Sequence, residues 1–307
     1  MKKTLLLLIP TLLLMGCTNK TTKEINIVCP VGAPAFAFYN YAENDKFETN
    51  GSPDNITTMM TKASQKTVVV IDTVSGVQAI NKGAPYKLAA SITFGNFYLC
   101  ATGKDDNGQM DPGDKIVLFG QNKTPDLLFH YLYGNDYDSG IEYVTAAGNA
   151  KGVLEEGKNL ITGNDIDYVF LAQPAVFAAL KTNTNASIYA NLQEVYKQKS
   201  DNKQMVQASV FIKNTLEKEV ADEFLASLES DINAVIETPE LITQKLGSLD
   251  ENEVMSTFGT KAQVAMAVTK QGNGLGLGFK KAKENKQNID NFLSLFGEKE
   301  TNEKIYY

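Results

Sequence analysis

The segment TVVVIDTVSGVQAINKGAPYKLAASIT, Thr67–Thr93, changes its character twice. "TVVVIDT" shows no alternation of polar and apolar residues, which is the pattern of a strand covered on both faces and central in a parallel sheet. "VSGVQAINKG" reads as the helix that follows, and "YKLAASIT" as the next strand. Upstream, "INIVCP" is a first strand, closed by "VGAPAFAFYNYA", a loop passing into an apolar, small-residue helix. "KFETNGSPDN" is a second strand ending in turn residues, and "ITTMMTKAS" a short helix. Strands and helices alternating at this spacing predict βαβ units around a parallel sheet.

"NFYLCATG", Asn96–Gly103, comes next, before the polar loop "KDDNGQMDPGD". The pattern then restarts as "KIVLFG", "TPDLLFHYL", "IEYVTA", "AKGVLEEGK", "DYVFLA", "PAVFAAL" and "SIYANL". "MVQASVFIK", Met205–Lys213, is long enough to leave this second unit. A helix "LEKEVADEFLASLESDINAVI" follows, and the tail reads as mostly helical around a glycine-rich turn. The predicted fold class is α/β with two lobes, each a mostly parallel sheet flanked by helices. Two crossing hinge strands, Asn96–Gly103 and Gln207–Lys213, join them. Lobe 1 is discontinuous, 25–96 with 212–307, and lobe 2 is 97–211.

In "KIVLFGQNKTPDLLFHYL", Lys115–Leu132, the strand ends at Gly120. Thr124 is then the expected N-cap and Pro125 the first helical residue. A strand feeding a helix N-terminus offers an anion or dipole site. It is equally the ordinary joint of an α/β protein.

The chain has 307 residues, a net charge of −7 at pH 7 and 43% hydrophobic residues, which is globular and unsuited to nucleic acid. All 29 basic residues are lysine, and tryptophan is absent. No guanidinium fork is therefore available to clamp a carboxylate, phosphate or sulfonate. With a single histidine, a zinc cluster of His/Cys type cannot be assembled, and no metal or cofactor is expected.

Lys2 and Lys3 precede "TLLLLIPTLLLMG", too short to span a bilayer and shaped like a signal peptide. "LLMGC", Leu13–Cys17, resembles a bacterial lipobox, which implies cleavage after residue 16 and a diacylglycerol on Cys17. The other reading is a plain secretory signal. Residues 17–24 are then a lipidated cysteine and polar tether, and the body is held by the bilayer at the extracytoplasmic face of the cell membrane. Cys29 and Cys100 leave two readings open, one disulfide or two buried thiols.

"GNDIDYVFLAQPAVFAAL", Gly163–Leu180, resembles solute-binding lipoproteins of ABC importers, nearest the nitrate/sulfonate/taurine and thiamine-pyrimidine family. Asp167 and Pro174 match its pattern, and Gln173 stands where glutamate is usual. Lys115–Tyr133 and Val70–Thr93 are similar to further segments of that family, in an order spanning about Ile25 to Phe224. The resemblance implies a periplasmic-binding-protein-like (type II) fold with a small-molecule ligand between the lobes, and an ABC permease and ATPase as partners. Its ligand would lie at the carboxyl ends of strands. The candidate ligand-binding residues are Ala33, Pro34, Thr73 and Ser75 on one side and Asn122, Thr124, Asn149 and Gln173 on the other. Phe36 and Tyr39 are candidates for stacking on a flat ligand. A small organic anion or flat heterocycle is expected, bound by a monomer.

Other features carry less. "GNGLGLG", Gly272–Gly278, lacks the dinucleotide spacing and reads as a flexible turn. His130 reads as a helix-face histidine, with nothing in the sequence pairing it with a carboxylate. Glu155-Glu156 and Asp105-Asp106 read as solvated charges. The expected function is solute capture and delivery, not enzymatic. Its alternatives are an enzyme on the same fold, of lyase or pyrimidine-precursor type, and a surface sensor or adhesion lipoprotein.

Overall fold

The computed structural model describes residues 25–62, 64–104 and 107–307. The expected signal sequence 1–16, the tether 17–24 with Cys17, and the pair Asp105-Asp106 lie outside these residues.

The chain opens with β1 (Ile27–Pro30), a 3-10 segment over Ala33–Tyr41, β2 (Phe47–Asn50) and α1 (Pro53–Thr61). Next come β3 (Val68–Asp72), α2 (Thr73–Asn81) and β4 (Tyr86–Thr93). A second run holds β5 (Phe97–Ala101), β6 (Ile116–Phe119), α3 (Thr124–Tyr133), β7 (Ile141–Val144) and α4 (Ala147–Glu156). It continues through β8 (Tyr168–Ala172), α5 (Ala175–Thr182), β9 (Ser187–Asn191) and α6 (Leu192–Lys199). The last run is β10 (Ala208–Lys213), α7 (Lys218–Glu237), α8 (Glu240–Leu246), α9 (Glu251–Phe258), α10 (Ala262–Lys270), β11 (Leu277–Lys281) and α11 (Lys286–Ser294).

Two sheets result, ordered β11-β4-β10-β3-β1-β2 and β7-β6-β8-β5-β9. β1 runs parallel to β2 and β3, and β6 parallel to β7 and β8. The strands that follow the two crossings are reversed, as is β11, which pairs antiparallel with β4. β5 lies antiparallel between β8 and β9, and β10 antiparallel between β3 and β4. Both sheets are therefore mixed. β10 pairs with β3 and β4 from Ala208 onward, so the expected boundary between 211 and 212 falls inside this strand. The return crossing lies upstream, at Met205–Gln207.

The valine run in β3 shows why this strand is central. Val68 and Val70 pack with Phe36, Phe38 and Phe224, whereas Val69 and Ile71 pack on the opposite face with Ile56, Met60 and Phe211. Successive side chains serve two cores, as a strand's two-residue period dictates. The second of these cores also contains Leu99, Leu118, Phe129 and Phe170, so one apolar cluster spans both sheets.

Several sequence readings are corrected. Ala33–Tyr41 is 3-10 helix broken at Phe38, not a regular helix. β11 stands where the tail reads as helical around a glycine run, and that run masks the strand behind it. That run is also no loose turn. Gly276 sits at φ +66° with the Gly95 carbonyl where a Cβ would come within 2.7 Å, and Asn273 brackets Leu277 through its side chain. Phe94 donates to the Gly276 carbonyl at 2.8 Å, so the turn braces the first crossing. Cys29 and Cys100 are free and buried, one in each sheet. Burial pushes the Cys100 thiol up to about 12, so it is inert near neutral pH.

Candidate functional site

In open α/β sheets, the loops beyond strand carboxyl ends are where ligands gather. Here these loops follow β1, β3, β6, β7 and β8, and the two crossings form the floor beneath them.

On the first sheet, β3 ends at Asp72, whose carboxylate caps α2 by accepting from the Ser75 amide at 2.9 Å. Burial raises the Asp72 carboxyl above its ordinary value, with the Ser75 amide and the Lys123 charge opposing the shift. Thr73 is wholly buried, and its hydroxyl shares a 2.8 Å hydrogen bond with Ser209 of β10. Ser75 is half-buried at the first turn of α2, and Pro34 is half-buried beside the buried Ala33. Phe36 and Tyr39 are placed in the core and not on a cleft wall. Phe36 lies 5.0 Å from the Phe258 ring and is fully buried, so neither ring is presented for stacking. Their 3-10 segment turns these side chains toward α7 and α9.

The floor is a chain of hydrogen bonds that sequence reasoning missed. The Thr73 amide donates to the Gln207 carbonyl at 3.1 Å, and the Gln207 side-chain oxygen accepts from the Asn96 amide at 3.2 Å. Asn96 then donates through Nδ2 to the Gln173 carbonyl at 3.0 Å, while the Gln173 amide donates to the Asn96 carbonyl at 2.9 Å. This links β3 to the loop after β8 across both crossings. The side-chain oxygens of Asn96 and Thr93 are buried here without a partner. The only signal in the sequence was the placing of polar Thr93, Asn96 and Gln207 beside apolar strands.

On the second sheet, α3 starts one residue earlier than expected. Lys123 occupies the cap position without a side-chain cap bond, and Thr124 opens the helix. Buried Asp126 instead reaches back past the cap and accepts from the Asn122 amide at 2.7 Å, tying the loop to the helix while the first turn keeps no side-chain cap. Gly120 and Asn122 both sit at positive φ, which glycine and asparagine tolerate best. Asp126 also accepts from the Tyr143 hydroxyl at 2.9 Å and lies 3.0 Å from His130 Nδ1. His130 Nε2 meets Asp138 at 3.0 Å. Burial lowers the His130 pKa, but the Asp126 carbonyl, the Asp138 hydrogen bond and both carboxylate charges outweigh it and leave the pKa raised. The reading of His130 without a carboxylate partner is thus corrected; Asp138 is brought to it by the turn after α3.

Asn149 is exposed in the first turn of α4 and accepts from the Thr145 hydroxyl at 2.9 Å. Gln173 is buried and caps α5 by accepting from the Phe177 amide at 3.0 Å. Lys123 reaches over to the first sheet's side, its Nζ 3.4 Å from Asp54 at the start of α1. The loops holding Ser75, Asn122, Thr124, Asn149 and Gln173 all lie at strand carboxyl ends. Among the described residues, no group of three or more His, Cys, Asp or Glu is placed to hold a metal ion, and no helix is long and apolar enough to cross a membrane.

Solved structures share this fold. An ABC transporter protein from Parabacteroides distasonis superposes with a TM-score of 0.69 at 20% identity, over 89% of this chain and 91% of that one. The periplasmic aliphatic sulphonate binding protein SsuA from Escherichia coli gives 0.62 at 10% identity, over 88% and 87%. The ligand binding component of an ABC-type import system from Staphylococcus aureus, solved with zinc bound, gives 0.56 at 12% identity, over 89% and 98%. No protein-family model and no curated protein matches the chain. The architecture is that of periplasmic binding proteins, as the sequence resemblance implied.

Proposed function

We propose that this chain is the solute-binding component of an ABC importer. It captures a small ligand between its two sheets and delivers it to a permease and ATPase. The carrying observation is the meeting of the two sets of strand-end loops, Lys123 beside Asp54, over a floor of two crossing segments. Such a joint lets the lobes hinge, and a ligand touching both favours the closed arrangement. The import and sulphonate-binding proteins that share the fold support the reading. The lobes are 25–96 with 208–307 and the segment between the crossings. The protein acts as a monomer, anchored through Cys17 to the outer face of the cell membrane. Ligand contacts come from Ser75, Asn122, Thr124, Asn149 and Gln173, with Pro34 at the rim.

An enzymatic reading has little to build on. His130 is the one histidine, and both of its ring nitrogens are held by internal partners.

The test is a thermal-shift screen of the full chain in mild detergent, unfolded and refolded to strip carried-over ligand. Amines, sulfonates, nitrate, heterocycles, amino acids and short peptides make up the panel. A ligand at a hundredfold its Kd adds about 2.7 kcal/mol of stability, several degrees in Tm. One saturable hit supports capture, and silence across the panel contradicts it.

A further inference from the structure

The two faces of the sheets are joined in different ways. On one face a single apolar cluster runs from Ile56 and Phe292 of the first lobe to Phe129 and Leu192 of the second. On the other face the cores are separate. One surrounds Phe36, Phe224 and Val268 in the first lobe, and the other surrounds Val117, Leu154 and Val176 in the second. Among the described residues, a single apolar side chain of the second lobe packs against the first lobe's separate cluster. It is Phe177.

Phe177 stands where two helices converge. α5 begins at the first crossing: Gln173 exchanges hydrogen bonds with Asn96 and accepts from the Phe177 amide at 3.0 Å. α10 leads into the glycine turn whose Gly276 lies against Gly95 of that same crossing. The two helices pack on each other across the lobes. The other apolar side chains of α5 stay at home, since Ala175, Val176, Ala179 and Leu180 all pack in the second lobe's own cluster.

The Phe177 ring is half-buried, and the exposed Lys181, one turn later, holds its Nζ 4.5 Å from the ring centre. An ammonium over an aromatic face adds an attraction to the apolar contact. On this face, then, one aromatic side chain carries the apolar contact between two otherwise independent cores.

Resting on the solute-capture reading, we propose that Phe177 is the latch that sets the angle between the lobes. Packed on α10 it holds the lobes together, and without it they part about the continuous cluster on the opposite face. Phe177 is a positioning residue and makes no ligand contact. A ligand bridges the lobes only when they are close, so the latch raises affinity by raising the share of chains already in that arrangement.

The test uses the refolded full chain with no ligand added. Spin labels are placed at Gln263→Cys on α10 and Glu156→Cys on α4, both exposed, with Cys17→Ser and with Cys29 and Cys100 left buried. Inter-label distances are read by pulsed electron resonance. Phe177→Ala should add a second, longer population that the parent lacks. Phe177→Leu, which keeps an apolar side chain on α10 and so protects folding, should add a smaller one. Leu180→Ala truncates an equally half-buried side chain of the same helix and should leave the distances as they are. Unchanged distances in both Phe177 variants overturn the latch. Equal broadening in Leu180→Ala also overturns it, since α5 would then be loosening within its own lobe. Neither result touches solute capture, which is judged by what an added ligand does.

Discussion

Asn96 and Gln173 exchange two hydrogen bonds, side-chain Nδ2 to carbonyl at 3.0 Å and amide to carbonyl at 2.9 Å. One residue is on the first crossing and the other on the loop after β8. The pair continues the β5–β8 ladder beyond Phe97 and Ala172 into the cleft floor. Asn96→Ala removes one partner and leaves the Gln173 carbonyl unpaired. The expected loss is about 1–3 kcal/mol, read by urea denaturation. An unchanged midpoint would mean the bond adds nothing.

Asp72 carries a raised carboxyl pKa, caused first by burial. A raised folded-state value makes its contribution to stability greatest below the ordinary carboxylate range, and that contribution is lost as pH rises through the raised value. Asp72→Asn keeps the cap and removes a buried charge. Its Tm at neutral pH is expected to equal or exceed that of the parent, and the advantage to vanish in acid. A drop of several degrees at neutral pH would show that the charge itself holds α2.

His130 works in the same direction. Its raised pKa, above the ordinary 6.5, means that the bridge to Asp126 and Asp138 is strongest below that pH and is lost as pH rises through the folded value. Tm measured from pH 5.5 to 8.5 should fall across this window in the parent and flatten in His130→Gln. Parallel curves would show the bridge to be energetically silent.

Phe36 separates core from site. It is fully buried against Phe258 and Phe47's neighbourhood of rings. Phe36→Ala is expected to cost about 3–5 kcal/mol by cavity formation. Thr124→Trp, at the half-buried start of α3, should instead leave urea stability within about 0.5 kcal/mol and abolish ligand binding. The reverse pattern would move the site to the 3-10 segment.

The sequence made the alternation of β3, α2 and β4 legible because a strand buried on both faces must be apolar throughout, and Val68–Ile71 is. β11 was not legible. Its pairing with β4 depends on Gly276 passing close to Gly95, a contact between residues far apart in the chain. The loops of the site were readable from strand–helix joints. Which side chains face the cleft was not: Phe36 and Tyr39 look like free aromatics until α7 and α9 cover them. Asp72, Asn96 and Gln207 gained meaning only when β10 was threaded between β3 and β4.

The most direct test places spin labels at Thr58→Cys on α1 and Glu156→Cys on α4, both exposed positions, with Cys29 and Cys100 buried and unreactive. Inter-label distances are measured by pulsed electron resonance in the stripped protein and again with each probe of the panel and a small-molecule filtrate of the cell envelope. Solute capture between hinged lobes requires a saturable change to one narrower, shorter distance with at least one addition. A distribution that stays the same through every addition would contradict it.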